Sequence, residues 1–238
     1  MNRENSSGRH GRAANLLIWL LLGSSGVVIG ARTGVLPVVH WMGKWRSWLA
    51  QRRALAVLPD LYHAHPSIGN KFATDSAVMF TDYECPYCAR QESLLSLLPE
   101  MGLKLRITYV NFPLTEIHAA AMKGARLAYC ASGVSDFPQM HTALFASSRW
   151  KPSATFGEWL IAAEPAPDQR RIILSCMESD SSRRAVFRDR EIARRIGLSA
   201  TPTWIIGGRL ISGVLSADAL LRLTGDSSTS SLSDLDIH

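Results

Sequence analysis

Hydrophobic and polar positions alternate unevenly along this chain, and the period changes mark its elements. Ala77 to Phe80, AVMF, is a short unbroken apolar run that predicts a buried strand. Ala89 to Leu98 has helical character, and Pro86 sits where a helix's first turn tolerates proline. Leu103 to Val110, LKLRITYV, alternates with period two and predicts a second strand. Together these make a β-α-β unit, which implies a parallel pair joined by a right-handed crossover. From about Glu116 to Ile196 the pattern turns helical, over 116–131, 136–147, 154–163, 167–178 and 182–196, with Pro138, Pro152, Pro165 and Pro167 at the breaks. Thr203 to Ile206 and Arg209 to Ser212 flank Gly207-Gly208, a β-hairpin signal. Ser216 to Leu223 predicts a closing helix with Ser216 as its N-cap. Pro59 to Asn70 is a turn-rich lead-in. The order is α/β throughout: β-α-β, a helical block, then β-β-α.

The N-terminal pattern differs. Residues 1–12 are polar and basic, and from Ala13 to Ala31 no charge interrupts AANLLIWLLLGSSGVVIGA. As a helix, 13–31 spans about one hydrocarbon core at ~1.5 Å per residue. It reads as a transmembrane anchor or a signal peptide; the poor cleavage site favours the anchor. Arg3, Arg9 and Arg12 before the span nearly balance Arg32, Lys44 and Arg46 after it, so charge alone leaves orientation open. Residues 32–58 form an amphipathic linker in which Trp41, Trp45 and Trp48 recur at helical spacing, as an interfacial segment or a packed linker helix. The Ser/Asp-rich end, 226–238, predicts a disordered tail.

Composition refines this picture. The 238 residues are 47% apolar and 19% charged, enough for one sizeable globular domain, here placed at 59–225 with its helical insertion at about 114–196. The net charge of +6 owes much to arginines between Arg170 and Arg195. Asp168, Glu178, Asp180, Asp189 and Glu191 are mixed among them, which predicts solvated helix faces. No aromatic platform accompanies the arginines, so no nucleic-acid partner is expected.

Two of the four cysteines stand in FTDYECPYCAR. Cys85-Pro86-Tyr87-Cys88 after a strand admits three readings: metal ligands, a structural staple, or a redox pair. An even count with one C-x-x-C pair fits one reactive and one structural pair. Zinc held by Cys85, Cys88, Cys130 and Cys176 is disfavoured, because no second close pair exists and Pro86 suits a redox turn. In the redox reading Cys85 lies at a helix N-terminus, where free backbone N–H groups and the helix dipole favour a thiolate. Cys85 is then the nucleophile, and Cys88, one turn on and more buried, is the resolving thiol. His63 and His65 read as surface histidines. His118 reads as a helix-start residue packing near the active face. Glu84 and Asp82 read as exposed acids where the helix begins, with proton transfer through water, Glu84 or Asp82 as the alternative.

The segments FTDYECPYC, NFPLTEIHAAAMKGARLAYC and IGLSATPTWIIGGRLISG, in this order, resemble the DsbA-like thiol-disulfide oxidoreductases over residues 60–225. That resemblance implies a thioredoxin-like fold with a helical insertion between its β-α-β and β-β-α halves. It implies a cis Thr201-Pro202 peptide facing the cysteines, with Thr201, Pro202, Pro86 and Tyr87 in the substrate-contacting loops. It implies a structural Cys130–Cys176 disulfide, no cofactor and no metal. Where many members carry a buried acid six residues before the first cysteine, this chain has Met79. Tyr87 offers the thiolate no cation, so an oxidant of intermediate strength is expected.

The expected activity is thiol-disulfide exchange on cysteine-containing client proteins, at a cell-envelope membrane on its non-cytoplasmic side, or secreted there. A membrane or thioredoxin-like redox partner would reoxidise the pair. Reduction or isomerisation are close variants, but Trp41 to Gln51 is too short for a dimerisation domain, so a monomer is expected. The alternatives are a non-catalytic peptide-binding chaperone module and a glutaredoxin-like cytosolic reductase.

Overall fold

The computed structural model describes residues 38–70, 73, 75–97, 105–134, 137–146 and 165–225. The expected basic segment 1–12, the anchor 13–31, the helix at 154–163 and the tail at 226–238 lie outside the described residues. No helix among the described residues is long and apolar enough to cross a membrane. The chain clusters into two compact units, Met1–Trp45 and Arg46–His238. Of the first, the described part is the helical stretch from Val38. The second carries the fold described below.

Its centre is a five-stranded sheet in the order β1-β3-β2-β4-β5. The strands are β1 (Ser67–Gly69), β2 (Asp75–Thr81), β3 (Leu105–Asn111), β4 (Thr203–Ile206) and β5 (Arg209–Ser212). β2 pairs parallel with β3, Met79 opposite Tyr109, and antiparallel with β4, Met79 opposite Trp204. Helix α2 (Pro86–Leu95) is the crossover between β2 and β3. Among the described residues four helices, α3 (Ala121–Ser132), α4 (Phe137–Ala146), α5 (Pro167–Glu178) and α6 (Asp180–Arg195), stand between β3 and β4. This is the helical insertion expected from the residue pattern. α7 (Ala217–Gly225) closes the fold, and its Ser216 Oγ accepts the Ala219 N–H at 3.2 Å.

The period-two rule sorts β2 between two cores. Ala77 and Met79 face one, shared with Ile107, Tyr109, Trp204 and Ile206; Val78 and Phe80 face the other, with Val110 and Ile205. Because both faces are covered, the strand reads as an unbroken apolar run rather than an alternation. The hairpin forms at the expected residues. Gly207 and Gly208 have φ of 54° and 73°, the two consecutive left-handed positions of its tight turn.

Three expectations about local structure are corrected. Pro59–Asn70 is not a turn-rich lead-in: α1 (Val38–Ala64) runs through Pro59, and β1 follows at once. Burial of Ala54 and Leu61 holds this helix against the sheet's second face despite the hydrogen bond that proline removes. The insertion's first helix begins at Ala121 rather than Glu116, after turns at 115–117 and 119–120. The arginine-rich faces are mostly solvated, but Arg190 is buried and its guanidinium donates to Glu116 at 2.9 Å.

Candidate active site

The site forms where β2 ends and α2 begins. Cys85 is the N-cap of α2 and Pro86 its first helical residue. The Cys85 side chain leaves the helix's first N–H groups uncapped by any side-chain bond. Both cysteines are free thiols; Cys85 is 4% exposed and Cys88 fully enclosed. The Thr201–Pro202 peptide is cis, and the Cys85 thiol donates to the Thr201 carbonyl at 3.4 Å. The Thr201 hydroxyl is buried beside them. Tyr87 is 60% exposed beside this pair, so the sequence-selected residues Cys85, Cys88, Pro86, Tyr87, Thr201 and Pro202 converge on one place.

The two sulfurs are electrostatically unequal. The Cys85 thiol is lowered from 9.0 to about 6. The largest cause is the hydrogen bond from Cys88; burial opposes it, and Thr201 and the backbone N–H groups of Cys88 and Tyr87 assist. The helix amides expected to dominate are therefore the smaller contribution. Cys88 is raised, chiefly by burial and then by its bond and charge interaction with Cys85. An anion at Cys85 with a proton held at Cys88 is the division that nucleophile and resolving thiol require.

The acids beside the turn are not exposed as expected. Asp82 is 1% exposed. Its carboxylate accepts the Glu84 N–H, the Leu114 N–H and His118 Nδ1–H, each at 2.8 Å. Glu84 is half-buried and accepts the Ala120 N–H. Met79 is fully enclosed. Asp82's burial was invisible in the sequence because its partners are 32 and 36 residues away. Under α2 lies a second unanticipated group: the Tyr83 hydroxyl is 2.9 Å from His141 Nδ1, His141 Nε2 is 3.1 Å from Glu92, and the Tyr109 hydroxyl donates to Glu92 at 3.2 Å.

Elsewhere, Cys130 on α3 and Cys176 on α5 are joined by a disulfide with a Cα–Cα distance of 5.7 Å. Those sulfurs, bonded to each other, leave no four-cysteine set for zinc. His65 is not a surface residue: it is half-buried, and its Nε2 meets the buried Asp189 at 2.9 Å. Burial pushes the His65 imidazole down, but the Asp189 carboxylate outweighs that and leaves it raised. His63 is exposed.

A sheet of this order, a helix capped by a cysteine and an insertion between β3 and β4 define a thioredoxin-fold protein. A family model described as Thioredoxin matches residues 63–224, well over half the chain, and the protein belongs to that family. Solved structures agree on the fold. A linker-deletion mutant of Proteus mirabilis ScsC superposes with a TM-score of 0.65 at 19% identity, over 95% of this chain and 98% of that one. The thiol-disulfide exchange protein α-DsbA2 from Wolbachia pipientis gives 0.63 at 19%, over 74% and 95%. Pseudomonas aeruginosa DsbA2 gives 0.55 at 24%, over 67% and 91%. Among curated sequences, Na(+)/H(+) antiporter NhaA 3 of Salinispora tropica is 28% identical over 165 residues, 68% of this chain and 24% of that protein. NhaA 1 of Salinispora arenicola is 29% identical over 166 residues, 68% of this chain and again 24% of that protein. The chain thus spans about a quarter of the length of the curated relatives it matches.

Proposed function

We propose that this protein is a thiol-disulfide oxidoreductase that exchanges the Cys85–Cys88 disulfide with cysteine-containing client proteins. The observation that carries this is the asymmetry of the pair: a lowered thiol at the α2 N-cap above an enclosed, raised one. In the oxidising direction a client thiolate attacks Cys85 Sγ. The Cys85–Cys88 bond breaks, and its electron pair leaves on Cys88, which takes up a proton. A second client thiolate then attacks the client sulfur of the mixed disulfide. The client's disulfide forms, and Cys85 leaves as the thiolate its surroundings favour. Two electrons pass from client to protein. Tyr87 and Pro86 line the approach, and the Thr201–Pro202 segment lies against the nucleophile, where the Thr201 carbonyl and hydroxyl can meet an extended client chain. Cys130–Cys176 is the structural bridge of the insertion.

The same reading has the domain exported or membrane-tethered as a monomer through residues 13–31, with a membrane or thioredoxin-like partner reoxidising it. The antiporter names of the curated relatives support work beside a membrane. Incubation of the full chain in its disulfide form with a reduced dithiol peptide tests the activity. Oxidation of the peptide, lost in Cys85→Ser, is the expected result; no oxidation by the unaltered protein would overturn the reading. Membrane-impermeant alkylation of Cys85 in intact cells tests the compartment.

A further inference from the structure

Two main-chain contacts tie the redox pair to a single residue. The Asp82 N–H donates to Cys88 Sγ at 3.5 Å, and the Asp82 carbonyl accepts the Cys85 N–H at 3.1 Å. The same residue's side chain is clamped from both sides. Glu84 N–H holds one carboxylate oxygen from within the turn; Leu114 N–H and His118 Nδ1–H hold the other from the loop after β3. The Asp82 side chain is fully enclosed, so the loss of a donor leaves a buried acceptor short of partners, while His118 is 16% exposed. The adjacent peptide is fixed too, the Thr81 carbonyl accepting the Phe112 N–H at 2.8 Å.

We infer that Asp82 and His118 are a positioning pair for the resolving step: their bond holds the Asp82 peptide so that its N–H stays on Cys88 Sγ. This rests on the thiol-exchange reading. The enclosed Met79 offers Cys88 no charge or donor, so the N–H of Asp82 is a main aid to its thiolate. In resolution the Cys88 thiolate attacks Cys85 Sγ of the mixed disulfide. The Cys85–client bond breaks, and the electron pair leaves on the client sulfur, which is protonated by solvent. A displaced Asp82 N–H makes that thiolate scarcer and slows the step. It also destabilises the dithiol relative to the disulfide, so the reduction potential falls.

Rapid mixing of the reduced full chain with oxidised glutathione separates the two steps. Attack by Cys85 rises with glutathione concentration, and resolution by Cys88 sets a concentration-independent plateau. His118→Ala is expected to lower the plateau roughly tenfold and lower the potential by about 30 mV, the equivalent of a tenfold change in equilibrium constant. The second-order attack rate should stay within about twofold. His118→Asn, whose amide can stand where Nδ1 stands, should restore both. General damage would slow both steps together. If His118→Ala does not fold, His118→Gln, whose amide stands nearer Nε2, takes its place as the disruptive variant. A plateau and potential unchanged in the disruptive variant, or an Asn variant no better than it, overturns the pairing. Absence of any exchange in the unaltered protein instead overturns the parent reading.

Discussion

A depressed thiol makes the stability of the reduced protein depend on pH in a way the disulfide form cannot share. Cys85 falls from 9.0 to about 6 in the folded dithiol. For a group lowered on folding, the gain is complete above the unfolded value and lost as pH falls through the folded one. The window is therefore pH 6 to 9. From the two values, the gain is near zero at pH 5, about 1 kcal/mol at pH 7 and about 3 kcal/mol at pH 8. Cys88, raised in the fold, stays a thiol there across this range, and in the unfolded chain it is still mostly a thiol at pH 8. Every other titrating group is common to the two redox forms and cancels in their difference. Urea unfolding of the reduced and the disulfide protein, at pH 5 and pH 8, measures that difference. The reduced form should gain about 3 kcal/mol relative to the disulfide form between the two pH values. A difference that stays flat would mean that Cys85 titrates as an ordinary thiol, and the electrostatic account of its reactivity would fail. Cys88→Ala tests the cause: removing the donor that gives the largest lowering should raise the Cys85 titration, followed by thiolate absorbance, whereas an unmoved value would assign the shift to the helix amides.

Other outcomes follow from contacts away from the sulfurs. Removing the Cys130–Cys176 bridge as a double alanine variant opens a 46-residue separation, and loop entropy puts the loss near ~4 kcal/mol, read by urea unfolding. Gln91 is enclosed and pairs with both the N–H and the carbonyl of Leu215, so Gln91→Leu leaves two buried groups unpaired and should cost about 2–5 kcal/mol in the same assay. His65 is raised by Asp189, so its contribution is full below its unfolded value of 6.5 and is lost as pH rises through the folded value. His65→Ala should therefore destabilise more at pH 5.5 than at pH 8, and an equal loss at both would show that packing alone matters. The reduction potential, by equilibration with glutathione, should lie above the ~−270 mV of thioredoxin, since the stabilised Cys85 thiolate favours the dithiol.

Much of the architecture was legible along the chain because it is set by short-range physics. AVMF and LKLRITYV mark β2 and β3, Gly207-Gly208 marks a turn that needs two left-handed residues, and Ser216 caps α7. The Cys-Pro-Tyr-Cys turn at a strand-to-helix junction likewise announces a thiol pair, since proline at the first helical position and a cysteine at the N-cap are local requirements. What tertiary structure alone decided is where charge is buried. Asp82, His65, Asp189 and Arg190 look like ordinary surface residues in a polar stretch. Their partners lie on other elements, Asp82 with Leu114 and His118, His65 with Asp189, Arg190 with Glu116, at separations no periodicity encodes. The balance at Cys85 is of the same kind: a helix dipole can be read from the residues, but the larger pull comes from a neighbouring thiol whose burial the packed sheet imposes.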